Sequence, residues 1–305
     1  MQSTLDWLRD LLIPVYEREA SKFLADPWAA RNDYIEIIMD REEKAWKAFL
    51  LKHTTRELKE DEEIQLSRLL EMQRQAVLMY TSCGWFFDEI SGLETNQILQ
   101  YANRAIYYAK QVAGLDLHEE FVARLAEAPS NVYENGAVSY QKFVEPARVN
   151  LERVGMHFAT ASIFEKFPEK MTLFNYTTES EVLEKLVAGE QSLVLGRVTI
   201  RSRITRSRKH FSFAALHLGK QNIIGNLSTQ MPRKDFDQMV TDAQEAFRTP
   251  DLGKVIAVMQ NYIDSEKFSI WHLFRDEKRK VLKEITDRSL KAIELDFRDI
   301  YNSNY

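Results

Sequence analysis

Apolar residues return every third or fourth position from Leu5 to about Phe164, the spacing that lines one face of an α-helix. One such set is Leu66, Leu69, Leu70, Val77 and Tyr80. A second is Ile98, Ala102, Ala105, Ile106 and Ala109, and a third is Phe143, Ala147, Leu151, Val154, Phe158 and Ala161. Asp26-Pro27 predicts a helix start, because the carboxylate can take up free amides and proline needs no N–H in the first turn. Pro14 and Pro146 lie within or close to helical stretches, and each predicts a kink or a boundary. The charge run Arg56-Glu-Leu-Lys-Glu-Asp-Glu-Glu63 predicts a loop and a solvated first helical turn.

The period changes after Pro168. Val194, Val198, Ile200 and Ile204 alternate with Arg197, Thr199, Arg201 and Arg203, which predicts a half-buried strand. Arg206-Ser-Arg-Lys209 reads as a turn, and Phe211, Phe213 and Ala215 begin the return strand. Gly219-Lys-Gln-Asn222 turns the chain again into Ile223 to Leu227, giving an antiparallel meander of at least three strands. Before it, Thr178-Glu-Ser-Glu181 matches the capping box of a short helix ending near Gly189. Helical spacing returns from about Arg233. Thr249-Pro250 opens one helix and Ser269 caps the last, whose buried stripe is expected to include Ile270, Phe274, Val281, Ile285, Ala292 and Phe297. The pattern predicts an α+β chain, mainly α, in three parts: a helical bundle over 1–168, an antiparallel β element with a short helix over 169–230, and C-terminal helices over 231–305 that pack back. No glycine- or proline-rich linker separates them, so a shared core is expected.

Composition narrows the function classes. With 305 residues, 45% hydrophobic, 29% charged, and only 10 Gly and 7 Pro, the chain has what a folded domain needs and nothing of a disordered one. A net charge of −5 argues against a nucleic-acid partner, for which a basic footprint is expected. One cysteine precludes an internal disulfide and fits a reducing, cytoplasmic setting. The first residues lack the basic start and long apolar run of a signal peptide. No apolar stretch reaches the roughly 20 residues that span a bilayer, so no membrane partner is expected.

Most catalytic chemistry finds no support. The six histidines are widely spaced, and His118-Glu-Glu-Phe-Val122 lacks the second histidine of a zinc-protease helix, so no metal site is expected. There is no Walker loop, no GxGxxG and no GxSxG, and no cofactor is expected. Cys83 reads as a small residue at a helix end rather than a nucleophile. The cationic positions Arg197, Arg201, Arg203, Arg206, Arg208 and Lys209 read as an exposed hairpin face whose charges discourage unwanted strand pairing. Trp271 and His272, beside Phe268 and Phe274, read as core.

One connection is unlike a plain turn. Cys83-Gly-Trp-Phe-Phe-Asp-Glu-Ile-Ser-Gly-Leu-Glu-Thr95 sets Trp85, Phe86 and Phe87 beside Asp88 and Glu89. Flat aromatic faces can cover a pyranose ring while carboxylates accept its hydroxyls. The alternative is structural, with the three aromatics plugging the end of the bundle and Asp88 and Glu94 capping the next helix near Thr95. On the residues alone the plug reading takes precedence.

This run, with Leu5-Asp-Trp-Leu-Arg-Asp10, Asp26-Pro-Trp-Ala-Ala-Arg-Asn-Asp-Tyr-Ile35, Gln97-Ile-Leu-Gln-Tyr-Ala102, Phe211-Ser-Phe-Ala-Ala-Leu-His-Leu-Gly219 and Leu273-Phe-Arg-Asp-Glu277, resembles an uncharacterised domain. That domain is found C-terminal to the catalytic barrel in a branch of glycoside hydrolase family 57. The resemblance covers essentially the whole chain. It implies a parent enzyme acting on α-glucans through a glutamate nucleophile and an aspartate acid/base on an N-terminal (β/α) barrel. This chain has no alternating βα pattern long enough to be that barrel, so no catalytic residue is carried over. The resemblance implies instead a non-catalytic domain that completes the carbohydrate cleft and stabilises the barrel. Trp85 and Phe86, with Asp88 and Glu89, would be the substrate-binding residues. The implied partners are the glycosidase barrel, on the same polypeptide or a separate chain, and an α-glucan. The alternative is a scaffold that docks to a partner without touching glycan.

Overall fold

The computed structural model describes residues 1–249, 251–263 and 266–303. The chain is α+β and mainly α, and it divides into two compact units. One comprises Met1–Arg148 with Arg203–Ser207, the other Val149–Ser202 with the chain from Arg208 onward.

The first unit is helical: α1 (Gln2–Ala20), α2 (Pro27–Met39), α3 (Glu43–His53), α4 (Glu60–Leu78), α5 (Leu93–Ala113), α6 (His118–Ala126) and α7 (Gly136–Ser139). Its core is built from the predicted faces. Leu66, Leu69 and Leu70 of α4 meet Ile98, Ala102 and Ala105 of α5 and Leu5, Leu8 and Leu12 of α1, all fully or almost fully buried. Each buried leucine contributes roughly 2 kcal/mol of hydrophobic stabilisation. Val77, expected on the same face, is exposed, and Tyr80 lies beyond the end of α4. Asp26 caps α2 as expected, accepting the Trp28 and Ala29 amides at 2.9 and 3.0 Å. The charge run leads into the first turn of α4, where Glu62 accepts the Lys59 amide at 2.9 Å and pairs with Arg56 at 2.7 Å.

Two expectations fail here. The spacing from Phe143 to Ala161 is not one helix. A π-turn over Tyr140–Val144 and a 3-10 turn over Glu145–Ala147 break it, because Pro146 cannot donate an amide. Phe143 and Ala147 are exposed as a result. Arg206 is not a solvated turn residue either. It is 7% exposed, lies 4.8 Å over the Trp46 ring and pairs with Glu43 at 2.5 Å. Glu71 of α4 is a buried carboxyl group in the same unit. It is held by the Tyr34 hydroxyl at 2.7 Å, Arg41 at 3.0 Å and Arg74 at 3.1 Å. With Gln75 at 3.5 Å as a fourth donor, these contacts offset the cost of burying the carboxyl group.

The second unit contains α8 (Leu151–Ala161) and a six-stranded antiparallel sheet in sequential order. The strands are β1 (Lys170–Leu173), β2 (Tyr176–Ala188), β3 (Gln191–Ser202), β4 (Arg208–His217), β5 (Ile223–Ser228) and β6 (Glu266–Phe268). Helices α9 (Arg233–Arg248), α10 (Leu252–Tyr262) and α11 (Arg275–Ser303) complete it. The capping-box expectation fails here. Thr178–Glu181 lies in β2, which pairs with β3 along its length, and Gly189 at φ +60° makes the hairpin turn rather than a helix end. The meander is also covered on both sides, so β3 is not half-buried throughout. Val194, Val198 and Ile200 face Phe211, Phe213 and α8, while Leu193 and Leu195 face Ala214, Leu216, α9 and α10. Alternation with polar residues holds only beyond Arg197.

Helix starts shift near the C-terminal end. Asp251 caps α10 by accepting the Lys254 amide at 3.1 Å, and the expected start at Pro250 lies outside the described residues. Ser269 caps a 3-10 turn, Ile270–His272, not the last helix. Ile270 and Val281 are buried, Phe297 and Trp271 are exposed, and the expected burial of Ala292 lies outside the described residues. No helix of the described residues is long and apolar enough to cross a membrane, and no three His, Cys, Asp or Glu side chains among them are grouped to hold a metal ion.

His157 of α8 gives this unit a pH dependence. Its ring is 1% exposed, stacks on Phe274 with centroids 4.2 Å apart, and accepts the Phe274 amide on Nδ1 at 3.2 Å. Burial lowers its pKa from 6.5 to about 4, with Glu165 opposing and Arg153 assisting. The folded-state value is the depressed one, so the neutral ring stabilises the fold above the unfolded value and that contribution is lost as pH falls toward the folded value. Denaturant unfolding is expected to show a loss on the order of 3 kcal/mol between about pH 7 and about pH 4, largely absent in His157→Gln. Identical pH curves for the two proteins would contradict this.

Candidate functional site

The aromatic turn begins where α4 ends. A 3-10 turn, Ser82–Trp85, carries the chain across the start of α5, and Gly84 is pressed against it. A Cβ there would stand 2.0 Å from Ile98 Cδ1, so only glycine permits this approach. Thr95 Oγ1 ties the turn back, donating to the Gly84 and Glu89 carbonyls at 3.5 and 3.4 Å. Asn96 donates to the Ser91 carbonyl at 2.9 Å. Gly92, not Asp88 or Glu94, occupies the N-cap of α5.

Glu89 fixes the rest of the loop. Oε1 accepts the Ser91 amide at 2.8 Å and the Ser130 hydroxyl at 2.6 Å, and Oε2 accepts the Asn131 amide at 2.6 Å. These hydrogen bonds, the Ser130 one first, hold its pKa down to about 2. Its neighbour Asp88 is exposed. Ile90 is the side chain of this stretch that enters the core, at 8% exposure.

The aromatics do not plug the bundle. Phe86 and Phe87 are 75% and 62% exposed, and Trp85 is 36% exposed. One face of Trp85 is backed by Tyr80, with ring planes 7° apart and centroids at 6.3 Å. Tyr80 is anchored in turn, donating to Asp6 at 2.7 Å beneath the Arg9 guanidinium, which lies 5.5 Å from its ring centroid. The segments that Glu89 joins also expose Leu93 and Val132. All four proposed substrate-binding residues thus lie on one short turn, but in two roles. Trp85, Phe86 and Asp88 face solvent, and Glu89 holds the loop. Sequence reasoning missed the backing residues Tyr80, Asp6 and Arg9 and the Ser130–Asn131 partner loop. The three-residue spacing of Asp6 and Arg9 within Leu5–Asp10 was the available signal.

The other candidates resolve differently. Cys83 is exposed, with Thr81 Oγ1 at 4.0 Å. The cationic hairpin positions are largely neutralised: Arg197 pairs with Glu181, Arg203 with Glu42, and Lys209 with Glu152.

The clamp makes a direct prediction. Because the folded Glu89 pKa is depressed, its bonds are fully present above the ordinary carboxylate value near 4.5 and are lost as pH falls toward about 2. Amide exchange at Ser91 and Asn131, relative to intrinsic rates, is expected to be slow at neutral pH and to quicken across that window. Glu89→Ala should quicken it at every pH. Unchanged protection in the variant would show that the loop is held by something else.

A comparison with protein families matches residues 1–274 to the model described as Domain of unknown function (DUF3536). No curated protein and no solved structure matches the chain. With most of its length aligned to that model, the chain belongs to the DUF3536 family.

Proposed function

We propose that the chain is a non-catalytic domain of a family 57-type glycoside hydrolase or transglycosylase, completing the carbohydrate cleft and stabilising the catalytic barrel. The observation that carries this reading is the outward display of Trp85, Phe86 and Phe87 on a loop that Glu89 and Thr95 hold rigid. Exposing three large aromatics costs hydrophobic stabilisation, and fixing their backbone removes the freedom to hide them. A surface so arranged suits a flat, partly apolar ligand such as an α-glucan ring, with Asp88 placed to accept its hydroxyls. The resemblance of the whole chain to the domain that follows the barrel in family 57 proteins supports the same conclusion. The exposed thiol of Cys83 suits a reducing, cytoplasmic setting.

A second reading has its own support. Leu93 and Val132 are 81% and 65% exposed on the segments joined by Glu89, and aliphatic side chains favour a protein partner over a sugar. Here the turn would dock the barrel without touching glycan.

Titration calorimetry with a malto-oligosaccharide, on the chain alone and assembled with its barrel, separates the two. On the glycan reading Trp85→Ala and Phe86→Ala each weaken binding about tenfold, or roughly 1.4 kcal/mol, with little change in stability for the exposed Phe86. Glycan affinity untouched by either substitution, with loss of barrel association instead, would replace this reading with docking.

A further inference from the structure

Two exposed apolar surfaces of this chain match each other in length and in sign of charge. The first is a groove of about 450 Å³ between α2 and α4. Each wall is a stripe at helical spacing, with Arg31, Ile35 and Ile38 along α2 and Leu70, Arg74 and Val77 along α4. Leu70 is buried, whereas Ile35 and Val77 are 56% and 50% exposed. Val77 thus continues the core stripe of α4 to a point where half of it lies open to solvent.

The residues that line this groove include two arginines and no carboxylate. Arg31 donates to Asn32 at 2.9 Å, and Arg74 shares the buried Glu71 with Arg41, so one negative charge answers two positive ones. An apolar groove with cationic walls suits the apolar face of a helix that carries net negative charge.

The second surface is on α11. Val281 is buried, and Ile285, four residues on, packs against the same core. Beyond them Leu290, Ile293 and Phe297 follow at three- and four-residue spacing, and each is at least half exposed. At about 3.6 residues per turn, this stripe lies roughly a third of a turn round the helix from Val281 and Ile285. It therefore does not continue the face that packs on the core, and it needs a surface of its own. Leu290 to Phe297 advances seven positions, as do Arg31 to Ile38 and Leu70 to Val77, about 10 Å along each helix. Residues 287–303 hold four acidic residues against three basic ones, a net −1, opposite in sign to the groove.

We propose that the occupant of the groove is a second copy of this chain. Leu290, Ile293 and Phe297 of each copy lie between α2 and α4 of the other. One contact of two helical turns makes a small interface. Reciprocal exchange doubles it toward the roughly 1,200 Å² at which stable interfaces begin, and it closes the pair about a two-fold axis. This surface is separate from the aromatic turn and does not depend on the reading given to it.

Sedimentation of the full chain tests the assignment. The parent is expected to be a dimer at about 50 µM. Phe297→Glu and Val77→Glu should each be monomeric there with the melting temperature of the parent, since both side chains are at least half exposed. Arg31→Glu should weaken the dimer about tenfold. Mixing the two monomeric variants is the decisive step, because each keeps the surface that the other has lost. A mixed dimer held by one contact is expected, at least about tenfold weaker than the parent. A parent that stays monomeric up to about 500 µM, or a dimer that survives both substitutions, would overturn the proposal. Association lost in Phe297→Glu but intact in Val77→Glu would show α11 pairing with α11 and overturn the groove as its seat. Assemblies that lengthen with concentration instead of stopping at two copies would overturn the reciprocal exchange.

Discussion

Three hydrogen bonds converge on the Glu89 carboxylate, from the Ser130 hydroxyl and the Ser91 and Asn131 amides, and the candidate site depends on them. A loop with three large apolar rings would ordinarily fold them under. Here the backbone is already committed. Gly84 is pressed against Ile98, Thr95 donates to two carbonyls, Ile90 is buried, and Glu89 joins the second loop. The rings are left outside because the polar constraints beneath them are satisfied first. Charge-assisted hydrogen bonds to main-chain amides are stronger than neutral ones, so a single carboxylate can impose this geometry.

The two units reach stability differently. In the helical unit, α1, α4 and α5 bury leucine and alanine faces against each other, and the Tyr34–Glu71–Arg41–Arg74 network is among the polar groups inside. In the other, β3 is the centre. Alternate side chains feed separate cores on its two faces, so most substitutions in its first half would disturb one layer or the other.

Helix periodicity was legible where packing is one-sided: the α5 face, the first half of the α4 face and the Asp26 cap were read correctly, as was the α+β class, while Val77 and Tyr80 were misplaced. What the sequence hid were competitions decided by distant partners. Thr178–Glu181 has a good capping pattern, yet pairing along β3 outweighs a local box contributing about 1 kcal/mol. Arg206 looks like a turn residue because nothing nearby in sequence announces Glu43 and Trp46. Two-sided burial of β3 could not be told from half-burial until α9 and α10 were placed. At the site, the odd composition of the turn singled out a loop whose rings lie exposed. It did not separate the carboxylate that faces solvent from the one that holds the loop, since Ser130 and Asn131 lie some forty positions away.

The central claim is that the displayed rings meet carbohydrate. Nuclear Overhauser contacts between a malto-oligosaccharide and the ring protons of Trp85, Phe86 and Phe87 test it most directly. The account predicts contacts from sugar C–H protons to these rings. Sugar resonances unperturbed by the protein, or contacts mapping to other residues while these rings stay silent, would contradict it.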